Sequence, residues 1–191
     1  RLVFISGHYE FINKGIDVFL DALANVREKL SDGRQVLAFA CVLGGHLEFR
    51  KEKDKHAAGT PVICTHRLPD ENNDPIIKRC LQRGLTNRPE DNVKVLFIPV
   101  YLSDNDGVLN MSYYDVLRGT DLTVFPSKYE PWGYTPMESA VCAVPTVTSD
   151  LAGFGAWVQE RDDIPEGKGV FVLERAEKAD PEVLEDLTAT L

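Results

Sequence analysis

Four cysteines in 191 residues, none in a C-x-x-C pair, argue against a disulfide framework and against a thiolate metal site. Cys41, Cys64 and Cys142 sit inside apolar runs, and all four are expected to be free thiols in a reducing compartment. His8, His46, His56 and His66 show no ligand spacing with one another or with cysteine, so no metal is expected. No apolar run approaches the roughly 18–20 residues of a membrane-spanning helix, and no secretory leader is visible. Contact with a membrane is therefore not expected, and a cytoplasmic location is. Positive charge is scarce too: 21 Lys and Arg stand against 30 Asp and Glu, a net charge of −9. That argues against a general nucleic-acid-binding face but leaves room for a local basic pocket for a small anion. A phosphate loop of the form G-x-x-x-x-G-K-S/T is absent. So is any Ser-His-Asp or Cys-His arrangement with its nucleophile in a strained elbow.

The chain does contain an alternation of apolar runs with two different periods. Hydrophobic residues make up 43%, enough to bury a substantial core. "LVFIS" (2–6), "QVLAFACVL" (35–43), "PVIC" (61–64), "VKVLFI" (93–98), "DLTVFP" (121–126), "PTVTS" (145–149) and "GVFVL" (169–173) read as strands. Between them, Ile16, Phe19, Leu20, Leu23, Val26 and Leu30 recur at helical spacing, and helices are expected over 74–85, 112–119, from near Thr135, near 153–158 and over 181–191. Strands that are apolar throughout and alternate with helices predict a Rossmann-like α/β fold, a parallel sheet with helices on both faces. The predicted organisation is one domain over 1–175 closed by a C-terminal helix within 176–191. "RLVFIS" at the very start already looks like a core strand, so the chain is expected to be part of a longer polypeptide. The charged stretch 46–59 reads as solvated surface.

In such folds ligands gather at the carboxyl ends of the strands, which here means the loops 7–14, 99–111, 126–134 and 150–154. Lys14 precedes a helix, where a cation, backbone N–H groups and the helix dipole can together hold an anion. Tyr101 lies in a loop able to grip a flat ring. In "FPSKYEPWGYTPMES", Pro131 stiffens the turn and Gly133 permits close approach to the backbone. Thr135 before Pro136 predicts an N-cap, with free N–H groups near 133–135, and T-x-x-E gives Glu138 the role of a capping-box carboxylate. Glu130, beside Trp132, has no such structural role, and suits contact with a sugar hydroxyl or a partly positive carbon.

Taken in order, "NKG", "TH" followed by "DPI", "YYDVLRGTDLTVFPSKYEPWGYTPMES" and "SDLAGFGAWV" resemble the carboxyl-terminal domain of glycogen synthases, in the UDP-glucose-using branch known from animals and fungi. The resemblance covers about residues 2–160 and is most specific over 112–158. It implies one half of a GT-B glycosyltransferase, the half that holds the nucleotide sugar. The amino-terminal domain, which in that family mostly holds the glucan acceptor, would lie outside this chain. The implied reaction transfers glucose from UDP-glucose to the 4-hydroxyl at the non-reducing end of an α-1,4-glucan, with retention and without a cofactor or metal. Carried over position by position, Lys14 binds phosphate, Tyr113 stacks on uracil, and Tyr101–Leu102 meets the base edge. Glu130 contacts glucose and helps position its anomeric carbon, so Glu130 and Lys14 are the catalytic candidates. Glu138 binds ribose, and Trp132, Gly133, Tyr134 and Thr135 offer N–H groups to sugar and phosphate. UDP-glucose or UDP and the glucan are the implied partners.

Two features depart from the family pattern. The arginine usual in "GRYE" is His8 here, a less reliably charged phosphate contact. The segment 44–60 is short where the animal and fungal enzymes carry a long helical insertion that builds their tetramer, which implies a bacterial-like short form. Another retaining GT-B transferase, or a UDP-sugar-binding module without catalysis, would account for the same residues.

Overall fold

The runs at 2–6, 35–43, 93–98, 121–126, 145–149 and 169–173 all become strands, because each is apolar enough to be covered on both faces. The computed structural model describes residues 1–30, 33–50, 62–161 and 169–191. Its strands are β1 (Leu2–His8), β2 (Val36–Leu43), β3 (Val93–Ile98), β4 (Leu122–Val124), β5 (Thr146–Ser149) and β6 (Val170–Leu173). They form one parallel sheet in the order β3-β2-β1-β4-β5-β6. The helices are α1 (Ile16–Lys29), α2 (Pro75–Gln82), α3 (Tyr113–Arg118), α4 (Tyr134–Val141), α5 (Gly153–Gln159) and α6 (Asp180–Thr190).

The core lies between the sheet and these helices. Phe4, Phe19, Leu20, Leu23, Phe97 and Ile98 are wholly buried in it. Each large apolar side chain so placed stabilises the fold by roughly 1.5–3 kcal/mol before entropy is counted. Val183 and Leu187 of α6 join the same core, so the C-terminal helix is part of this domain. Three of the four cysteines are buried and Cys142 is half-buried; all are free. Burial pushes the Cys64 and Cys80 thiols up to about 12, so they behave as apolar side chains.

One expected strand does not form. Of "PVIC", Pro61 lies outside the described residues, and Ile63–Thr65 merely follow the edge of β3. Phe97 N–H donates to the Ile63 carbonyl at 2.8 Å and Thr65 N–H to the Phe97 carbonyl at 2.9 Å. Pairing stops there because His66 turns away to bridge Phe49 in the antiparallel sense. Of the charged stretch 46–59, the part from 51 onward also lies outside the described residues.

The feature of the sheet that makes a site is uneven pairing along β1. That strand pairs with β2 from Leu2↔Leu37 to His8↔Leu43, but with β4 only at Val3↔Leu122 and Phe4↔Thr123. Beyond Phe4 the carboxyl ends of β1 and β4 diverge. The strand order also reverses between these two strands, and their connections leave in opposite directions. A doubly wound sheet opens its crevice at such a switch point.

Candidate nucleotide-sugar site

A cleft of about 400 Å³ fills that crevice. Ile5, Ser6, Gly7 and His8 of β1 line one side, and Phe125, Ser127 and Glu130 from the loop after β4 line the other. Of the sequence-predicted residues, His8, Lys14, Tyr101, Leu102, Tyr113, Glu130, Gly133, Tyr134 and Thr135 all line it. The structure adds Ser6, Ser127 and Thr148, whose hydroxyls at strand ends carry no sequence signal of their own.

Backbone ties bring Lys14 to Glu130. The loop after β1 and the loop after β4 run side by side: Lys128 N–H donates to the Asn13 carbonyl at 2.7 Å, and Asn13 Nδ2 donates to the Tyr129 carbonyl at 3.3 Å. The next residue of one loop is Lys14 and the next of the other is Glu130, and their side chains form an ion pair. Both are mostly withdrawn from water, at 17% and 25% exposure, so each charge depends on its partner or on a ligand. Gly15 makes the close approach possible. Its φ is 66°, and a Cβ there would stand 2.0 Å from the Pro126 carbonyl oxygen.

The sequence offers two helix starts to an anion, those of α1 and α4, and the structure separates them. At α1 the first N–H groups are already used: Gly15 donates to the Ile12 carbonyl, and Ile16 and Asp17 to that of Phe11. The start of α4 differs. Its N-cap is Gly133, with φ 100°, rather than Thr135, because glycine supplies the left-handed turn and no side chain caps the helix. Thr135 is thus the second helical residue, and its carbonyl accepts from Ser139 Oγ at 2.9 Å. The N–H groups of Gly133, Tyr134 and Thr135 have no partner among the described residues, and all three residues line the cleft. They face it together with Lys14 and His8, so one end of the cleft is suited to an anion.

Aromatic and apolar side chains line the remainder of the cleft. Tyr113 opens α3 behind its cap Ser112, packs on Phe4 at 6.1 Å between ring centroids, and has its hydroxyl 3.5 Å from Ser6 Oγ. Burial, with the Glu138 carboxylate nearby, pushes that hydroxyl up to about 12. Tyr101, 74% exposed, and Leu102 complete this wall.

Two expected residues stand outside the lining. Trp132 packs on Phe154 and Trp157, and its indole N–H points to Met137 Sδ at 3.3 Å. Its carbonyl accepts from Phe154 N–H at 2.6 Å, so its place is to seat α5. Glu138 is not a capping-box carboxylate, since the helix starts too early; it accepts from the Tyr114 hydroxyl at 3.1 Å instead. Among the described residues no group of three His, Cys, Asp or Glu side chains could hold a metal ion. No helix among them is long and apolar enough to cross a membrane.

Comparison with known proteins accords with this geometry. The glycogen synthase family model matches residues 50–191. Glycogen (starch) synthase of Caenorhabditis elegans is 32% identical over 249 aligned positions, covering 98% of this chain and 37% of that protein. Isoform 2 of the Saccharomyces cerevisiae enzyme is 32% identical over 253 positions, covering 96% and 36%. This chain therefore spans a little over a third of those relatives. The pneumococcal O-GlcNAc transferase GtfA, solved in complex with UDP and GlcNAc, superposes with a TM-score of 0.55 at 10% identity, covering 98% of this chain and 27% of that one. The six-stranded parallel sheet is thus the fold of one half of a GT-B glycosyltransferase. Sequence and fold together establish that the chain belongs to the glycogen synthase family.

Proposed function

We propose that this chain is the donor-binding half of a retaining glycosyltransferase that extends an α-1,4-glucan with glucose from UDP-glucose. The observation that carries the reading is the two-ended cleft at the β1/β4 switch point. Free amides, Lys14 and His8 lie at one end, and Tyr113, Tyr101 and Leu102 at the other. A nucleoside diphosphate has this same division between anion and flat base, and UDP occupies the related fold of GtfA.

In this reading Tyr113 stacks on uracil, and the backbone of Tyr101–Leu102 meets the base edge. Glu138, beside Tyr114, takes the ribose hydroxyls. Lys14, His8 and the amides of Gly133, Tyr134 and Thr135 face the diphosphate, so that charge on the leaving group is met by fixed dipoles and cations rather than by a metal. Glu130 contacts the glucose hydroxyls and holds the anomeric carbon in place. The bond from that carbon to the diphosphate oxygen breaks, a bond to the acceptor 4-oxygen forms on the same face, and the acceptor proton departs with the diphosphate. The protein from which this domain comes is the proper material for a test, supplied with UDP-glucose and glycogen beside other acceptors. Glucose is expected to enter glycogen. Transfer to a different acceptor would make it another retaining transferase, and UDP binding without any transfer would make it a binding module.

A further inference from the structure

We infer that Asp106 is a positioning residue for base recognition, the internal anion that shapes the loop carrying Tyr101 and Leu102. The inference rests on the donor reading above and adds to it the element that decides how the base end of the cleft is held. The connection from β3 to α3, residues 99–112, has no regular secondary structure, so its backbone N–H groups lack ladder or helix partners. Four of them converge on one carboxylate. Asp106 Oδ1 accepts from Val108 N–H at 2.7 Å, Leu109 N–H at 2.8 Å and Asn110 N–H at 3.1 Å. Its Oδ2 accepts from Ser103 N–H at 3.0 Å. The Asn110 side chain closes the turn by accepting from Gly107 N–H at 2.9 Å.

This arrangement matters because Tyr101 has no burial to hold it. Its neighbours Val100 and Leu102 pack on the core on one side of the turn, and Val108 and Leu109 on the other. The carboxylate joins the two sides, Ser103 on one and residues 108–110 on the other. The loop backbone next to the cleft is thereby fixed without a strand. Partial burial alone would raise the Asp106 pKa; the four amides outweigh it and hold the carboxyl below its ordinary value. The aspartate is therefore ionised at neutral pH, as the role requires.

Asp106→Ala removes all four acceptor bonds; Asp106→Asn keeps the Oδ1 acceptor and loses the Ser103 contact. If the loop of the alanine variant holds its arrangement about a tenth of the time, the apparent Kd for UDP rises about tenfold. Inorganic pyrophosphate, which reaches only the anion end, keeps its inhibition constant when it competes with UDP. The asparagine variant falls between the unaltered chain and the alanine variant. Calorimetry with UDP, and displacement of UDP by pyrophosphate, measure both. Equal weakening of the two ligands, or no change in either, overturns the inference, since a loop that only stabilises the fold would not separate base from phosphate. Failure of the unaltered chain to bind UDP at all removes the donor reading itself, and this inference with it.

Discussion

Lys14 and Glu130 meet because the backbone N–H of Lys128 and the side-chain amide of Asn13 tie their loops together just before them. The cationic end of the cleft then depends on Lys14, on amides and on His8. A neutral histidine can donate one N–H to phosphate but brings no charge, whereas arginine is always charged and binds it with two parallel bonds. His8→Arg in the longer protein is therefore expected to raise turnover at neutral pH. Equal or lower turnover in a pH 7 assay would show that leaving-group charge is met without this position. Tyr113 allows a second test at this scale. Its folded-state pKa stands near 12, against 10.0 for an exposed tyrosine, because burial disfavours the ionised ring. The stability it contributes is thus intact below pH 10 and declines as pH rises toward 12. Burial raises Tyr9 as well, so both residues steepen the alkaline loss of stability. Denaturant melts between pH 8 and 11 should show a shallower fall for Tyr113→Phe than for the unaltered chain.

Among the elements, the turns decide the site, and the turns were also where sequence and structure parted. The strands and α1 were legible because full burial demands continuous apolar runs and a helical stripe. The β1–α1 and β4–α4 loops were legible as candidates because they stand at strand carboxyl ends and carry Lys14, Glu130 and Gly133. The start of α4 was misread because T-P-M-E imitates a capping box, while the left-handed conformation that really begins the helix belongs to Gly133 and leaves no pattern in side-chain polarity. The orientation of Trp132 depends on Phe154 and Trp157, more than twenty residues later, and no local spacing reports it. Gly15 is the sharpest structural test at this level. A methyl group there meets the Pro126 carbonyl, which the buried Arg175 guanidinium also holds, and φ 66° is itself unfavourable for alanine. Gly15→Ala is expected to cost roughly 2–3 kcal/mol and about 5–10 °C in Tm. A variant melting within a degree of the unaltered chain would mean that α1 and the β4 loop are not so tightly pinned.

For the whole molecule, the strand order and the divergence of β1 from β4 open the cleft before any side chain is considered. Neither was visible locally, since order within a sheet is set by long-range pairing. This chain covers 37% of the C. elegans relative's length. In the GT-B arrangement a transferase cleft is closed by two domains, and this chain has the fold of one of them. The chain alone is therefore expected to bind UDP and to leave UDP-glucose and glycogen unreacted over hours. Measurable elongation of the glucan by these 191 residues would require the acceptor to be held here too. The most direct measurement of the central claim is a crystal of this chain soaked with UDP. The account predicts density running from Tyr113, over the start of α4 at Thr135, to Lys14. Nucleotide density anywhere else on the surface, or a Tyr113–Lys14 cleft that stays empty at saturating UDP, would contradict it.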